Sequence, residues 1–293
     1  MIKDIPPITF NPASSDNFGL EIVPLEEIAK NKNKHQHHPE LPHQLKFYSL
    51  IFFTEGSGRH FIDFNWFPVQ KNSLVYLTKD QINAFEFSDE LKGYCILFTE
   101  EYFVNSFSNL TDDFVFKLLN PELFSPILQI PENSDFITYF KLLLKEYKNF
   151  NSFNHQIIIN SLLTILISKA ENVKKDTTYY NSDSSQVALY QNYISLIEKN
   201  LSKSRSANFY ANELAVSYKH LNTVCKELIN KTAKNVIDDF VILQAKRNLI
   251  NSTTNSAELA YSLGFEDPTN FTKYFKKNTG LTPKSFIKSF TKG

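Results

Sequence analysis

The pattern of hydrophobic and polar residues changes along this chain from short strand-like runs to helical periodicity. Runs such as Phe47–Phe53, Arg59–Phe64 and Gly93–Phe98 are separated by turn residues, and closely spaced short strands are typical of small all-β barrels and sandwiches. Further along, the apolar residues of Asp135–Tyr147 follow the period of an amphipathic helix. Asn154–Ala170 is apolar nearly all round, which predicts a helix that is buried on more than one side.

These segments predict an α+β protein with two domains. The N-terminal domain is expected over residues 1–172, with a small β-barrel at about 45–105 and appended helices at about 110–172. Residues 173–185 are polar and lack periodicity, which is typical of a linker. Residues 186–293 show only helical patterns and predict an all-helical C-terminal domain.

Charge is divided unequally between the two domains. The chain of 293 residues has 31 Lys and Arg against 31 Asp and Glu, and a neutral total taken alone argues against a nucleic-acid partner. Residues 186–293, however, have 15 basic and 8 acidic side chains, whereas residues 1–185 have 16 and 23. The C-terminal domain is therefore basic and the N-terminal domain acidic, and the basic domain is the candidate for binding double-stranded DNA.

The basic domain contains a degenerate internal repeat with a period of about 50 residues. The two copies align in one register over many positions, and chance matches would not maintain a single register. The matched pairs are Ala211 and Ala260, Leu214 and Leu263, Leu221 and Phe271, Cys225 and Phe275, Lys226 and Lys276, Asn230 and Gly280, and Thr232 and Thr282.

Each copy predicts a short helix, a tight turn and a second helix. The turn carries Gly264 in the second copy, where positive φ has no steric cost, but Ala215 in the first copy, where positive φ is strained. The short helices are expected over Tyr210–Leu214 and Ser256–Leu263, and a longer helix over Val236–Ile250 is expected to join the two copies.

The boundaries of the second helices are also marked in the sequence. Ser217 is the expected N-cap in the first copy, and Asp267 with Pro268 takes the N-cap and first helical positions in the second. Asn230 and Gly280 are the residue types that best tolerate the left-handed position at a helix C-terminus. Both copies thus predict a complete helix-turn-helix.

The second helix of each copy is the candidate element for reading DNA, because a helix-turn-helix places it in the major groove. Asn can form two hydrogen bonds with adenine, Lys can donate a hydrogen bond to guanine, and Thr can contact a thymine methyl group or a phosphate. Two such helices on one connector are expected to enter successive major grooves about 34 Å apart. The candidate DNA-contacting residues are Tyr218, Lys219, Asn222, Thr223 and Lys226 in the first copy, and Pro268, Thr269, Asn270, Lys273, Lys276 and Lys277 in the second.

Several segments of the basic domain resemble the AraC-type (AraC/XylS) transcription regulators. The resemblance rests on YANELAVS at 210–217, KRNLI at 246–250, ELAYSLGFEDP at 258–268 and NFTKYFKKNTGLTP at 270–283. It implies a sequence-specific regulator with a bipartite DNA-binding domain of two helix-turn-helix motifs. It also implies an N-terminal cupin-like domain that senses a ligand or dimerises. Cys225 departs from the family pattern, which usually has an aromatic residue there.

A cupin-type metalloenzyme with an accessory helical domain is the alternative function. His35, His37, His38 and His43 are available as imidazole ligands. Asn83, however, stands where related domains tend to place a late histidine, and an amide is a poor ligand for a transition metal. We therefore expect no catalytic residue, no metal, no cofactor and no enzymatic activity.

His60 is the candidate ligand-binding residue of the N-terminal domain. It alternates with Phe61 along a predicted strand, so that it is expected to face the barrel interior and to hydrogen-bond a small-molecule effector. An ordinary core or surface histidine is the alternative interpretation. No feature of the sequence identifies the effector.

The remaining features concern location and assembly. Cys95 and Cys225 lie far apart in the sequence, which is typical of a reducing compartment. The chain shows no signal peptide and no apolar stretch long enough to span a bilayer, so we expect a cytoplasmic protein without a membrane partner. The all-round apolar helix over Asn154–Ala170 predicts a homodimer. If the regulator is an activator, RNA polymerase is a further expected partner.

Overall fold

The computed structural model describes residues 5–11, 19–30, 38–88, 90–107, 126–149, 154–173, 184–250 and 256–291. The chain divides into two compact units, Pro6–Asp176 and Thr177–Gly293 together with Met1–Ile5. Most of the predicted linker, the first part of the appended helices, and His35 and His37 lie outside the described residues. Within the described part, no helix is both long enough and apolar enough to cross a membrane.

In the described part of the first unit, two five-stranded sheets form the barrel. One has the strand order β1-β3-β8-β5-β6 and the other β10-β7-β4-β9-β2. All pairings are antiparallel except that of β1 with β3. The strands are β1 Pro7–Ile8, β2 Leu20–Pro24, β3 His43–Leu45, β4 Tyr48–Glu55, β5 Ser57–Ile62, β6 Asn65–Gln70, β7 Ser73–Leu77, β8 Ile82–Phe85, β9 Lys92–Phe98 and β10 Ile127–Gln129.

The second sheet separates two hydrophobic cores, because alternate residues of a strand point to opposite faces. Along β4, Leu50 and Phe52 belong to a core shared with helices, whereas Ile51 and Phe53 belong to the core inside the barrel. The Phe52 ring lies 4.7 Å from that of Phe140 on one of those helices. The helices of this unit are α1 Leu25–Lys30, α2 Glu100–Phe107, α3 Asp135–Lys148 and α4 His155–Val173.

The barrel contains more of the chain than the sequence predicted. Strands β1, β2, β3 and β10 lie outside or at the edge of the expected 45–105 range, because strands of two to five residues are too short to show alternation. The expected strand Arg59–Phe64 ends at Ile62, since Asp63 and Phe64 form a turn with φ of 41° and 73°. Strand β6 was missed because it contains Pro68, which a β-strand tolerates at a sheet edge.

The second unit is entirely helical in its described part and contains both predicted helix-turn-helix motifs. The first motif is α6 and α7, the second is α9 and α10, and α8 joins them. The joining helix begins at Ala233, three residues before its expected start at Val236. The helices are α5 Ser184–Asn200, α6 Ala207–Glu213, α7 Tyr218–Ile229, α8 Ala233–Ile250, α9 Ser256–Ser262, α10 Pro268–Thr279 and α11 Pro283–Thr291.

The turns and caps of the two motifs match the sequence expectation. Ala215 and Gly264 occupy equivalent turn positions with φ of 54° and 75°. Ser217 Oγ accepts a hydrogen bond from the His220 N–H, and the Asp267 carboxylate accepts one from the Thr269 N–H. The C-caps Asn230 and Gly280 are both left-handed, with φ of 54° and 77°. These local signals begin and end α7 and α10 at equivalent points.

Candidate nucleic-acid interface and barrel cavity

The candidate DNA-contacting residues lie on the solvent-facing sides of α7 and α10. The opposite sides are core: Leu221 and Cys225 of α7 and Phe271 and Phe275 of α10 have no exposed surface. Ten of the eleven candidates lie on the exposed stripes or at their margins. The exposed ones are Tyr218, Lys219, Thr223 and Lys226 in α7, and Thr269, Asn270, Lys273, Lys276 and Lys277 in α10, with Pro268 half-buried at the start of α10.

Asn222, the eleventh candidate, has a different environment. It is half-buried, and its side-chain Oδ1 accepts a hydrogen bond of 3.1 Å from the backbone N–H of Ala233. Ala233 is the first residue of α8, where the backbone N–H groups have no partner within the helix. Asn222 therefore caps the joining helix, a contact that helical periodicity within α7 alone does not indicate.

The lysines of the exposed stripes are the candidates for phosphate contacts. Among the residues that the structure describes, Lys219, Lys226, Lys273, Lys276 and Lys277 form no ion pair. Exposed lysines without an ion-pair partner can contact DNA phosphates, and such contacts supply a large share of the affinity of protein–DNA complexes. Both exposed stripes are therefore suited to the surface of a duplex.

An open cleft of about 710 Å³ is lined by one residue from the first turn of each of the two helices. Tyr218 borders it on the α7 side and Asn270 on the α10 side. Three cations, Lys203, Arg205 and Lys234, also line it, against one carboxylate, that of Glu266. The first turns of α7 and α10 thus border the same basic concavity, although about 50 residues of sequence separate them.

The barrel encloses a cavity of about 500 Å³ between its two sheets. Ser49 lines it, and its buried Oγ has no hydrogen-bond partner within the part of the chain that the structure describes. His43 Nδ1 contacts Leu41 O at 3.0 Å, and its Nε2 lies 3.3 Å from Asn83 Nδ2. Glu21 and Glu27 also line the cavity, whose described lining residues include no Lys or Arg. The surroundings are thus mostly apolar with a few hydrogen-bonding groups, as in many small-molecule sites.

His60 is buried on the inner side of the barrel, but it is not among the residues that line the cavity. Neither of its ring nitrogens has a hydrogen-bond partner among the described residues. Burial, with a smaller effect of His43, lowers the pKa of His60 to about 3. The imidazole is therefore neutral at physiological pH, and its role in ligand binding stays a prediction.

The barrel offers little support for a metal centre. Among the described residues, no three His, Cys, Asp or Glu side chains are grouped so as to hold a metal ion. His43 is bonded to Asn83, the residue that the sequence marked as an unsuitable ligand. The metalloenzyme alternative is left without a supporting observation.

Two family models match the two units of the chain. The model described as an AraC-like ligand binding domain matches residues 25–163, and one described as a helix-turn-helix domain matches residues 210–289. The two matches fall on the barrel with its helices and on the pair of helix-turn-helix motifs.

Known proteins resemble the chain over both units. An uncharacterized HTH-type transcriptional regulator in the cgkA 5' region of Pseudoalteromonas carrageenovora is 33% identical over 124 residues, covering 42% of this chain and 68% of the relative. The transcriptional activator RhaS of Mannheimia succiniciproducens is 24% identical, covering 84% and 88%. A crystal structure of fatty-acid-bound ToxT from Vibrio cholerae matches with 15% identity and a TM-score of 0.45, covering 94% and 96%. The chain belongs to the AraC-type family of DNA-binding transcription regulators.

Proposed function

We propose that the protein reads a bipartite operator by inserting α7 and α10 into two successive major grooves on one face of the duplex. The observation that carries this proposal is the cleft that Tyr218 in the first turn of α7 and Asn270 in the first turn of α10 both line. In a helix-turn-helix the N-terminal residues of the recognition helix contact base edges. Both helices also expose lysines that form no ion pair with any described residue, so that these lysines are available for phosphate contacts.

Selection of bound sequences from a random duplex pool tests this proposal. A bipartite reader enriches two short motifs about one helical turn apart, and footprinting places protection on one face of the duplex. Affinity for the selected duplex is then measured at several salt concentrations, where a steep decline marks phosphate contacts. Enrichment of one short motif alone, or affinity that is independent of salt, contradicts the proposal.

We further propose that the barrel cavity binds the small-molecule effector that controls this regulator. The unpartnered Ser49 hydroxyl and the paired His43 and Asn83 offer hydrogen bonds to a polar group of the ligand. Glu21 and Glu27 place carboxylates at the cavity, and the described lining has no cation. An uncharged or cationic molecule with an apolar body is therefore favoured over a carboxylate.

A cavity-filling variant tests the effector site. Leu97 lines the cavity, and Leu97→Trp reduces its volume, whereas Leu142→Trp places the same side chain at an exposed position of α3. Decanol, decylamine and decanoate are suitable matched probes in a thermal-shift measurement. The proposal expects decanol or decylamine to stabilise the wild type and the Leu142 variant but not the Leu97 variant. Equal stabilisation of all three proteins, or stabilisation by decanoate alone, contradicts it.

The proposed regulator acts as a homodimer in the cytoplasm. Ile157 and Ile158 of α4, which are 62% and 38% exposed, are apolar side chains that a second copy would cover. A relative described as an activator favours an activating role, in which RNA polymerase is the further partner. Light scattering of the wild type and of Ile157→Lys tests the dimer, since only the wild type is expected to show twice the monomer mass.

A further inference from the structure

Each recognition helix is bonded to the first part of the joining helix α8. Asn222 of α7 accepts its hydrogen bond from the N–H of Ala233. Tyr274 of α10 donates a hydrogen bond from its hydroxyl to the carboxylate of Asp238. Ala233 and Asp238 are five residues apart, which is about 7.5 Å along a helix. Both recognition helices are therefore hydrogen-bonded to nearly the same segment of α8.

A second connection links the two motifs without passing through α8. Arg205 lies in the segment that precedes α6, and its guanidinium carbon is 3.6 Å from the centre of the Phe265 ring in the second motif. Its Nη1 donates a hydrogen bond of 2.9 Å to the carbonyl oxygen of Leu263. Burial lowers the pKa of Arg205. A cation that has given up part of its hydration interacts more strongly with an aromatic face.

Tyr274 is the point at which these connections meet. The Phe265 ring lies 5.2 Å from the Tyr274 ring, edge-on. On the α8 side, the Lys234 ammonium lies 5.6 Å from the same ring and also pairs with Asp238. Burial, together with the hydrogen bond to Asp238, raises the pKa of Tyr274, so the phenol remains protonated and continues to donate. The chain of contacts runs from Arg205 through Phe265 and Tyr274 to Asp238.

DNA makes strict demands on the separation of two recognition helices. One additional base pair between the two contacted segments moves the second segment by about 3.4 Å along the axis. Because a turn has about 10.5 base pairs, it also rotates that segment by roughly 35°. Hydrogen bonds weaken steeply with such displacements. The second recognition helix therefore cannot move with the displaced DNA segment unless the contacts that connect the two helices break.

We propose that Asn222, Asp238, Tyr274 and Arg205 are positioning residues that fix the separation of the two recognition helices and thereby the operator spacing that the protein accepts. This proposal rests on the bipartite reading proposed above. It gives Asn222 a function other than the base contact that its residue type suggests. It also gives a function to Arg205 and Tyr274, which lie outside the exposed stripes of the recognition helices.

A spacing series tests the proposal. The probes are the duplex selected from the random pool and derivatives with one or two base pairs inserted or deleted between its two protected segments. Fluorescence anisotropy gives Kd for the full-length wild type, Tyr274→Phe, Arg205→Met and the double variant. Tyr261→Phe is the matched control, because it removes a phenol hydroxyl from an exposed side chain of α9. Circular dichroism melts confirm that each variant is folded.

The expected result concerns ratios of Kd rather than Kd itself. The wild type and Tyr261→Phe should prefer the selected spacing over a one-base-pair insertion by about tenfold or more, equivalent to about 1.4 kcal/mol. Each single variant should reduce this preference by roughly threefold, which corresponds to the loss of one hydrogen bond or cation–π contact. The double variant should reduce it further, while affinity at the selected spacing changes less than the preference does.

Three outcomes overturn the proposal. Variants that weaken binding at every spacing by the same factor would show that the contacts only stabilise the fold. Variants with an unchanged preference would show that other contacts set the separation, and a wild type that binds all spacings equally would show that no separation is fixed. If the pool instead yields one short motif, the bipartite reading itself fails, which the selection reveals before any variant is made.

Discussion

The imidazole of His60 packs edge-on against the ring of Phe85, with centroids 4.7 Å apart and planes inclined by 76°. The two residues are register partners on neighbouring strands β5 and β8. His60 is completely buried, and in the described part of the chain neither ring nitrogen has a hydrogen-bond partner. Protonation would place an unpaired charge in the barrel core, and this is the physical reason why the pKa falls to about 3.

Stability of the barrel should therefore decrease as the pH falls. In the unfolded chain His60 titrates near pH 6.5, so between pH 6.5 and about 3 the unfolded state binds the additional proton. The free energy of unfolding then falls by up to about 1.4 kcal/mol per pH unit over this window, and the stabilisation is fully present above pH 6.5. Urea unfolding at pH 7.5 and pH 5 should differ by about 2 kcal/mol from this residue.

The single tryptophan provides the measurement for this pH dependence. Trp66 lies on β6, opposite Phe61 of β5, so its fluorescence reports on the barrel. His60→Leu should flatten the pH dependence below 6.5, whereas His220→Leu, at an exposed position of α7, should leave it unchanged. If the free energy of unfolding depends on pH in the same way for the wild type and His60→Leu, the imidazole is protonated in the folded barrel.

The turns of the two helix-turn-helix motifs offer a matched pair of substitutions. Ala215 has a φ of 54°, in the left-handed region, so Ala215→Gly should raise the free energy of unfolding by about 0.5–1 kcal/mol. At the equivalent position, a Cβ on Gly264 would lie 2.4 Å from the Ser202 carbonyl oxygen. Gly264→Ala should therefore lower stability by at least about 2 kcal/mol.

Thermal melts followed by far-UV circular dichroism distinguish these two turn variants. The expected order of melting temperature is Ala215→Gly, wild type, Gly264→Ala. Gly280→Ala is a useful control, because Gly280 has a φ of 77° but a Cβ added there would meet no atom within 4 Å; it carries the backbone strain without the clash. If Gly280→Ala lowers the melting temperature as much as Gly264→Ala does, backbone strain alone explains the loss of stability.

Features that depend on neighbouring residues were the ones that the sequence could predict. Ser217, Asn230 and Gly280 mark helix ends because caps bond backbone groups within one turn of themselves. The positive φ of Ala215 followed from alignment with Gly264, since a repeat transfers backbone geometry from one copy to the other. The same argument located both recognition helices and their exposed stripes.

Features that depend on distant residues could not be predicted in this way. Leu20–Pro24 forms a strand only because it pairs with β9, more than seventy residues later, and five residues contain too little alternation to indicate it. The periodicity of α7 predicts that Asn222 is exposed, but its side chain accepts a hydrogen bond from Ala233 at the start of α8. The stacking of Arg205 on Phe265 likewise joins residues 60 positions apart, and no local pattern marks it.

Cys225 illustrates how a departure from the family pattern is accommodated. Its counterpart Phe275 packs against Phe271 and Phe286, with ring centroids 5.9 and 5.7 Å away. Around the first motif, Tyr193 of α5 and Tyr210 of α6 are completely buried, with centroids 5.7 Å apart. Burial, with a smaller effect of the nearby Cys225, raises the pKa of Tyr193. The two tyrosines thus occupy core volume near the small thiol.

Restoring the aromatic residue should therefore destabilise the first motif. Cys225→Phe adds a ring to a site without exposed surface, and overpacking of this kind costs about 1–3 kcal/mol. Cys225→Ala, which removes one buried atom, should cost less. Urea unfolding followed by circular dichroism gives both values. A stabilised Cys225→Phe variant would mean that the site contains unfilled space.

The exposed faces of the recognition helices lead to a prediction that separates base contacts from phosphate contacts. Asn270 and Lys273 lie in the first part of α10, where a recognition helix reaches base edges. Asn270→Ala and Lys273→Ala should each weaken binding to the selected duplex by about 1–3 kcal/mol and relax the sequence preference at one position. Lys276→Ala, farther along the helix, should weaken binding to all sequences similarly and reduce the salt slope by about one unit.

Binding titrations on the selected duplex and on single-base variants of it measure both effects. Lys145→Ala is the control for the loss of a positive charge, because Lys145 is an exposed lysine of the acidic unit and should change neither the preference nor the salt slope beyond the effect of net charge. If Asn270→Ala and Lys273→Ala lower affinity without altering the preferred bases, their side chains contact the backbone. Base reading in the second groove would then be assigned to other residues of α10, of which Thr269 is the exposed candidate nearest its start.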